Sequence, residues 1–328
     1  MAPACLAGAG GEEAPRTEAR VTGLREGTRR VATALAAAVI LLGASFGASA
    51  RISGSLGSLV RSTRRDGLLA SLTAVDVPEY GIPGVSVYSL KYWSRGVLVQ
   101  GYLDVPSGKG PFPLLVLLHG GWLYAEPYHH DNYAGPLWAS DSPVTASQWA
   151  SYKAIVFLPN YAGYGPSDGT VQTLGPNASD ALNGMAALRQ ICGLRIKAHA
   201  TYLLGESMGG GVAVYLAERD QHLRGAVLFS PALFNSPTWA TQAYDVHLPI
   251  LIIAGTQDTT VLPEIAQWTA QILSVRDKHV QLVFVGGGHV PLAAGWGTML
   301  SWYARHGLTL VQSLSTRAPR IGMCDARP

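Results

Sequence analysis

Six short apolar runs limit what this chain can fold into: PLLVLLH (113–119), KAIVFLP (153–159), ATYLL (200–204), GAVLFSP (225–231), PILIIAG (249–255) and VQLVFVGG (280–287). A strand with one wet face alternates apolar and polar residues. An unalternated, branched run instead belongs to a strand covered on both faces, as in a parallel sheet between helices. Helically spaced, Ala- and Leu-rich segments lie between several of the runs, at 179–191, 210–220 and 264–275. Strand alternating with helix implies βαβ units, hence an α/β chain with a mostly parallel, doubly wound sheet. Ahead of the first run, VSVYSLKYW (85–93) and VLVQGYLDVP (97–106) alternate around Ser94-Arg95-Gly96. That pattern predicts an N-terminal antiparallel hairpin. No internal repeat of propeller or solenoid period is present.

Of the 328 residues only 14% are charged, and the formal net charge is +3. There is no dense Lys/Arg run, which argues against nucleic-acid binding. Residues 31–50 carry no charge, follow Thr28-Arg29-Arg30 and end in Ala48-Ser49-Ala50. They are expected to make 1–50 an export leader, placing the protein outside the cell or in its envelope. Left uncleaved, 31–50 would instead anchor it to a membrane. Ser/Arg/Gly-rich residues 51–78 read as a linker, 79–312 as one catalytic domain and 313–328 as a flexible tail. Cys192 and Cys324 are either two partly buried thiols or a disulfide; sequence leaves both open. No C-x-x-C pair exists, and His129-His130-Asp131 has no third ligand spaced for a metal, so no metal or cofactor is expected.

The pattern G-x-S-x-G, which can mark a nucleophilic serine at a strand-to-helix elbow, occurs three times, around Ser45, Ser167 and Ser207. Ser45 lies in the leader. Ser167 follows a Gly/Pro-rich stretch and precedes no helix, so it reads as a turn residue. Only Ser207 has a strand running straight in and a helix running straight out. A serine needs a base, and the base an orienting acid, both at the carboxyl ends of strands. His289 qualifies, following 280–285 across three glycines, and Asp258 follows 249–254 directly. His247 and His279 precede their strands, His222 follows a helix, and His306 falls in the last helix. The order Ser207, Asp258, His289 is that of the α/β-hydrolases. The N–H of Met208, next after the nucleophile, and that of Gly121, in His119-Gly120-Gly121-Trp122, are the expected oxyanion donors. For His119 a structural hydrogen-bonding role is expected.

Together LLVLLHGGW, QWASYKAIVFLPNYAGYGPSDG, GESMGG, AGTQDTTV and GGGH resemble the catalytic domain of prolyl-oligopeptidase-like serine hydrolases over about residues 85–308. The resemblance implies the α/β-hydrolase fold, the triad Ser207, Asp258 and His289, and Gly121 and Met208 at the oxyanion. No β-propeller is expected before this domain, and the chain departs from that family in Ala162, where Arg tends to follow Asn-Tyr, and in Met208, where Tyr often follows the nucleophile. GESMGG with NYAGYGPSDG also resembles smaller esterases.

Segment 122–152 leaves the carboxyl end of the first parallel strand and is rich in large rings. Trp122 and Tyr124 are candidates to line an apolar acyl pocket, or else to pack over the sheet. Too few residues separate 225–231 from 250–254 for a large cap, so an open crevice and a short or medium acyl ester are expected. The alternatives are a peptidase acting on short peptides and, in another class, a non-catalytic binding module.

Overall fold

The strand pairings contain the expected antiparallel hairpin and a mostly parallel sheet. The computed structural model describes residues 65–75, 83–121, 150–172, 174–233, 246–275, 279–309 and 321–324, all within the unit Ser58–Pro328. In chain order the elements are β1 (Leu69–Val75), β2 (Val85–Ser94), β3 (Val97–Pro106), β4 (Phe112–Leu118), β5 (Ile155–Pro159), α1 (Leu174–Leu188), β6 (Ile191–Cys192), β7 (Ile196–Glu206), α2 (Met208–Arg219), β8 (Leu223–Phe229), β9 (Ile250–Gly255), α3 (Pro263–Leu273), β10 (Val280–Val285), α4 (Leu292–Arg305) and β11 (Gly322–Met323).

A nine-stranded sheet has the order β1-β2-β3-β5-β4-β7-β8-β9-β10. The first four of these strands pair antiparallel. From β5 to β10 every pairing is parallel. The strands made by the apolar runs are covered on both faces, as their unalternated composition requires. Leu114, Val116 and Leu118 of β4 belong to the core that includes Val212 and Leu216 of α2. Leu115 and Leu117 point the other way, into the core with Met299 and Trp302 of α4. The strand order reverses between β4 and β7, so the connections leaving their carboxyl ends run in opposite directions. Such a switch point is where α/β sheets form their crevice.

Two expectations need correction. Residues 69–75, expected to be linker, form edge strand β1, paired with β2 from Leu69↔Tyr92 to Val75↔Val87. The tail is not free throughout 313–328, because β11 pairs with β6 and Cys192 is disulfide-bonded to Cys324. Gln190 gathers these pieces. Its carbonyl accepts from the N–H of Cys324 at 3.1 Å. Its side chain accepts from Leu69 N at 3.1 Å and donates to Gly67 O at 2.7 Å. The leader 1–50 lies outside the described residues. Among the described residues no helix is long and apolar enough to cross a membrane.

The disulfide closes a loop across 132 residues of sequence, so it removes much freedom from the unfolded chain. The double variant Cys192→Ser/Cys324→Ser is expected to lose about 2–4 kcal/mol of stability by urea unfolding. A reducing agent should destabilise the wild type by a similar amount and leave the variant unmoved. Equal sensitivity of the two proteins would count against the bond.

Candidate active site

Strand β7 becomes helix α2 with one residue between them, and that residue is Ser207. Its backbone is left-handed, φ 51° and ψ −119°, a region that costs a non-glycine residue roughly 1–3 kcal/mol. Neighbouring backbone holds it there. The Ser207 N–H donates to Phe229 O at 2.8 Å, and the Ser207 carbonyl accepts from Ala232 N at 2.8 Å. The flanking glycines are needed for space. A Cβ on Gly205 would lie 2.5 Å from the Gly209 carbonyl oxygen, and one on Gly209 would enter the Leu118 carbonyl at the end of β4. Ser167, by contrast, lies in a turn, where its hydroxyl accepts from Gln100 N at 3.0 Å.

Asp258 and His289 meet at the same sheet edge. The loops after β9 and β10 are joined by Gln257 N donating to Gly287 O at 2.9 Å. His289 Nδ1 lies 2.9 Å from Asp258 Oδ2 and 3.1 Å from Oδ1. Asp258 is buried, which raises its pKa. Hydrogen bonds from His289, Val261 N, the Ser230 hydroxyl and Thr260 N outweigh that burial and bring the pKa below the usual carboxylate value. The Thr260 and Val261 bonds are both 2.9 Å and both go to Oδ1. A carboxylate held ionised in this way fixes the imidazole with its proton on Nδ1. Nε2 on the opposite side of the ring is left as the basic nitrogen. Among the described residues, the Ser207 hydroxyl has no hydrogen bond to His289.

His119-Gly120-Gly121 runs beside the elbow. A Cβ on Gly120 would lie 3.3 Å from Ser207 Cβ, and one on Gly121 would lie 3.2 Å from Met208 Cε. Among the described residues neither the Gly121 nor the Met208 N–H has an acceptor. The Met208 thioether accepts from Tyr164 Oη at 3.5 Å and from buried Asn177 Nδ2 at 3.8 Å. His119 packs face to face on Tyr161, centroids 4.3 Å apart, and edge-on to Tyr164. Its Nδ1–H donates to the Gly120 carbonyl at 2.7 Å. That is the structural role expected of it.

The loop after β5, which carries Tyr161 and Tyr164, hangs on Asp180 of α1. This fully buried carboxylate accepts from Ala162 N at 2.9 Å, Ser94 Oγ at 2.6 Å, and Arg95 Nε and Nη2 at 2.9 and 2.8 Å. Asp180 and Ser230 were not singled out from sequence. A buried acid in an apolar helix was a signal for the first; a hydroxyl at a strand's carboxyl end was one for the second. Trp122 and Tyr124, with His129-His130-Asp131, lie outside the described residues. His247 and His279 precede β9 and β10, at the far edge of the sheet.

A family model described as "Serine aminopeptidase, S33" matches residues 144–244, which include β5, the Ser207 elbow and β8. No curated protein matches the chain. Several solved structures do. An acetyl xylan esterase from Paenibacillus sp. R4 superposes with a TM-score of 0.55 at 16% identity, covering 71% of this chain and 88% of that one. Acylaminoacyl peptidase of Pyrococcus horikoshii gives 0.56 at 14% identity, over 72% of this chain and 43% of that one. A rice cell wall degrading esterase from Xanthomonas oryzae gives 0.52 at 15% identity, over 74% and 96%. The chain has the α/β-hydrolase fold. In this fold Ser207, Asp258 and His289 stand at the ends of β7, β9 and β10, with β8 between β7 and β9.

Burial lowers the His119 pKa to about 4, with its bond to Gly120 acting weakly the other way. Between pH 6.5 and about 4 the unfolded chain therefore takes up a proton that the folded chain refuses. Stability should fall as pH falls through that window, by up to about 3 kcal/mol from this group. Urea unfolding at pH 7.5 and 4.5 is expected to show a smaller acid loss in His119→Gln than in wild type. Equal losses would mean that His119 is not the titrating group.

Proposed function

We propose that this chain is an exported serine hydrolase that cleaves carboxylic esters of short or medium acyl chains through an acyl-enzyme on Ser207. The observation that carries this reading is the Asp258–His289 pair, 2.9 Å apart, on the edge where the strained Ser207 elbow also emerges. His289 Nε2 takes the Ser207 proton as Ser207 Oγ attacks the ester carbonyl. Asp258 stabilises the imidazolium that forms. The oxyanion is received by the N–H groups of Gly121 and Met208, donors already oriented before charge develops and worth about 3 kcal/mol each. The imidazolium returns its proton to the departing alcohol. Water deprotonated by His289 then releases the acid and restores Ser207.

Ester chemistry is favoured by the structural likeness to esterases that are covered over 88% and 96% of their own length. A peptidase acting on short peptides is the second reading, favoured by the match to a serine aminopeptidase model and by the acylaminoacyl peptidase superposition. Trp122 and Tyr124 would line the acyl pocket in either case. Export is supported by the leader pattern of 31–50 and by the Cys192–Cys324 disulfide, which fits an oxidising compartment.

Turnover of p-nitrophenyl acetate, butyrate and octanoate by the full-length chain, beside an aminoacyl p-nitroanilide, separates the readings. Esters should show a burst and exceed the anilide in kcat/KM. Ser207→Ala should lose the burst and about 10⁴-fold or more in rate. Preference for the anilide would favour the peptidase, and equal activity of Ser207→Ala and wild type would remove Ser207 from the chemistry.

A further inference from the structure

The turn after β8, Phe229-Ser230-Pro231-Ala232, is bonded to Ser207 and Asp258 of the candidate triad and to Val290, the chain neighbour of His289. Its backbone grips the nucleophile from both sides, through Phe229 O to Ser207 N and Ala232 N to Ser207 O, each 2.8 Å. Pro231 closes against the first turn of α2, where a Cβ on Gly210 would lie 2.8 Å from Pro231 Cα. The remaining two contacts belong to one hydroxyl. Ser230 hydrogen-bonds to the Asp258 carboxylate, and Ser230 Oγ accepts from the N–H of Val290, next to His289, at 3.4 Å.

Ser230 is fully buried and its φ is 44°, a conformation uncommon outside glycine, asparagine and aspartate. Its own N–H extends the β8–β9 ladder to Ile253 O at 2.9 Å. Thus the residue is fixed at both ends. A hydroxyl suits the position because it can donate to a carboxylate, which only accepts, while accepting from a backbone N–H. Alanine or glycine can do neither. Threonine would add a branched carbon at positive φ.

Resting on the serine hydrolase reading above, we propose that Ser230 is a positioning residue that fixes the Asp258–His289 pair relative to Ser207, acting as a fourth member of the catalytic constellation. It touches no substrate. Asp258 meets the His289 ring on one side; its other bonds come from Thr260 N, Val261 N and Ser230. Ser230 is therefore the only side chain besides His289 that aims this carboxylate among the described residues. Removing its hydroxyl leaves the carboxylate less well solvated and freer to turn. The Asp258 carboxyl should then be held less far below the usual carboxylate value, and the imidazole should spend less time facing Ser207.

The test uses the full chain with the best p-nitrophenyl ester and the variants Ser230→Gly, Ser230→Ala and Ser207→Ala. Ser230→Gly relieves the backbone and removes only the hydroxymethyl group, so folding is expected to survive; Ser230→Ala gives a second check with the Cβ kept. In both, kcat should fall about 10-fold or more, as small misplacements of catalytic groups do, with KM within about twofold. The acid limb of kcat/KM should also move to higher pH. Wild-type kcat with an unmoved limb in both folded variants would overturn the proposal, as would a loss of kcat matched by a rise in KM with the limb unmoved. Activity surviving in Ser207→Ala would instead be the failure of the serine hydrolase reading itself.

Discussion

The site depends on how closely α2 leaves β7. With Gly205 and Gly209 at the bend, the helix begins against the end of β4 and no side chain intervenes. That contact fixes the Ser207 backbone in its left-handed turn and brings Gly120-Gly121 alongside. Helix N-termini leave their first N–H donors without intrahelical partners in any case. Here the sheet's switch point turns that general feature into a local one, because β4 and β7 are the strands whose connections leave in opposite directions.

Around this bend the rest of the site is held by groups that are buried or half-buried. Asp180 ties the Tyr161–Tyr164 loop to α1, so that Tyr164 meets Met208 and Tyr161 lies on His119. His119 in turn closes the glycine strand through its bond to Gly120 O. A buried network of this kind fixes geometry only when its polar members are paired. Asp180 meets that condition with four donors, Arg95 supplying two of its hydrogen bonds. On the other side, the loops after β9 and β10 are joined by backbone before their side chains meet. The Asp258–His289 pair is thus prepared by the fold and not left to side-chain rotation.

Most of the sheet was legible because strands buried on both faces have no freedom to be polar. The hairpin β2–β3 was legible from its alternation and its turn. Edge strand β1 was not: LASLTAV is mostly exposed or half-buried, and it follows a Ser- and Arg-rich stretch that reads as linker. The tie between β6 and β11 was hidden for another reason. Each is two residues long, and only the folded chain brings Cys192 within 4.9 Å of Cys324, Cα to Cα. The candidate triad could be chosen by strand ends alone, since position at the carboxyl edge separated His289 from His247 and His279. Ser230 escaped because Ser-Pro after a strand reads as turn chemistry. Its second function, as a link between two loops, exists only in three dimensions.

The most direct measurement is the mass of the full-length protein after treatment with a fluorophosphonate, followed by peptide mapping of the adduct. The reagent reports an activated serine without regard to which ester or peptide is the substrate. One equivalent on the peptide containing Ser207, absent after acid unfolding, is the predicted result. No adduct, or one carried by Ser167 or another serine, would contradict the assignment of Ser207 as the nucleophile.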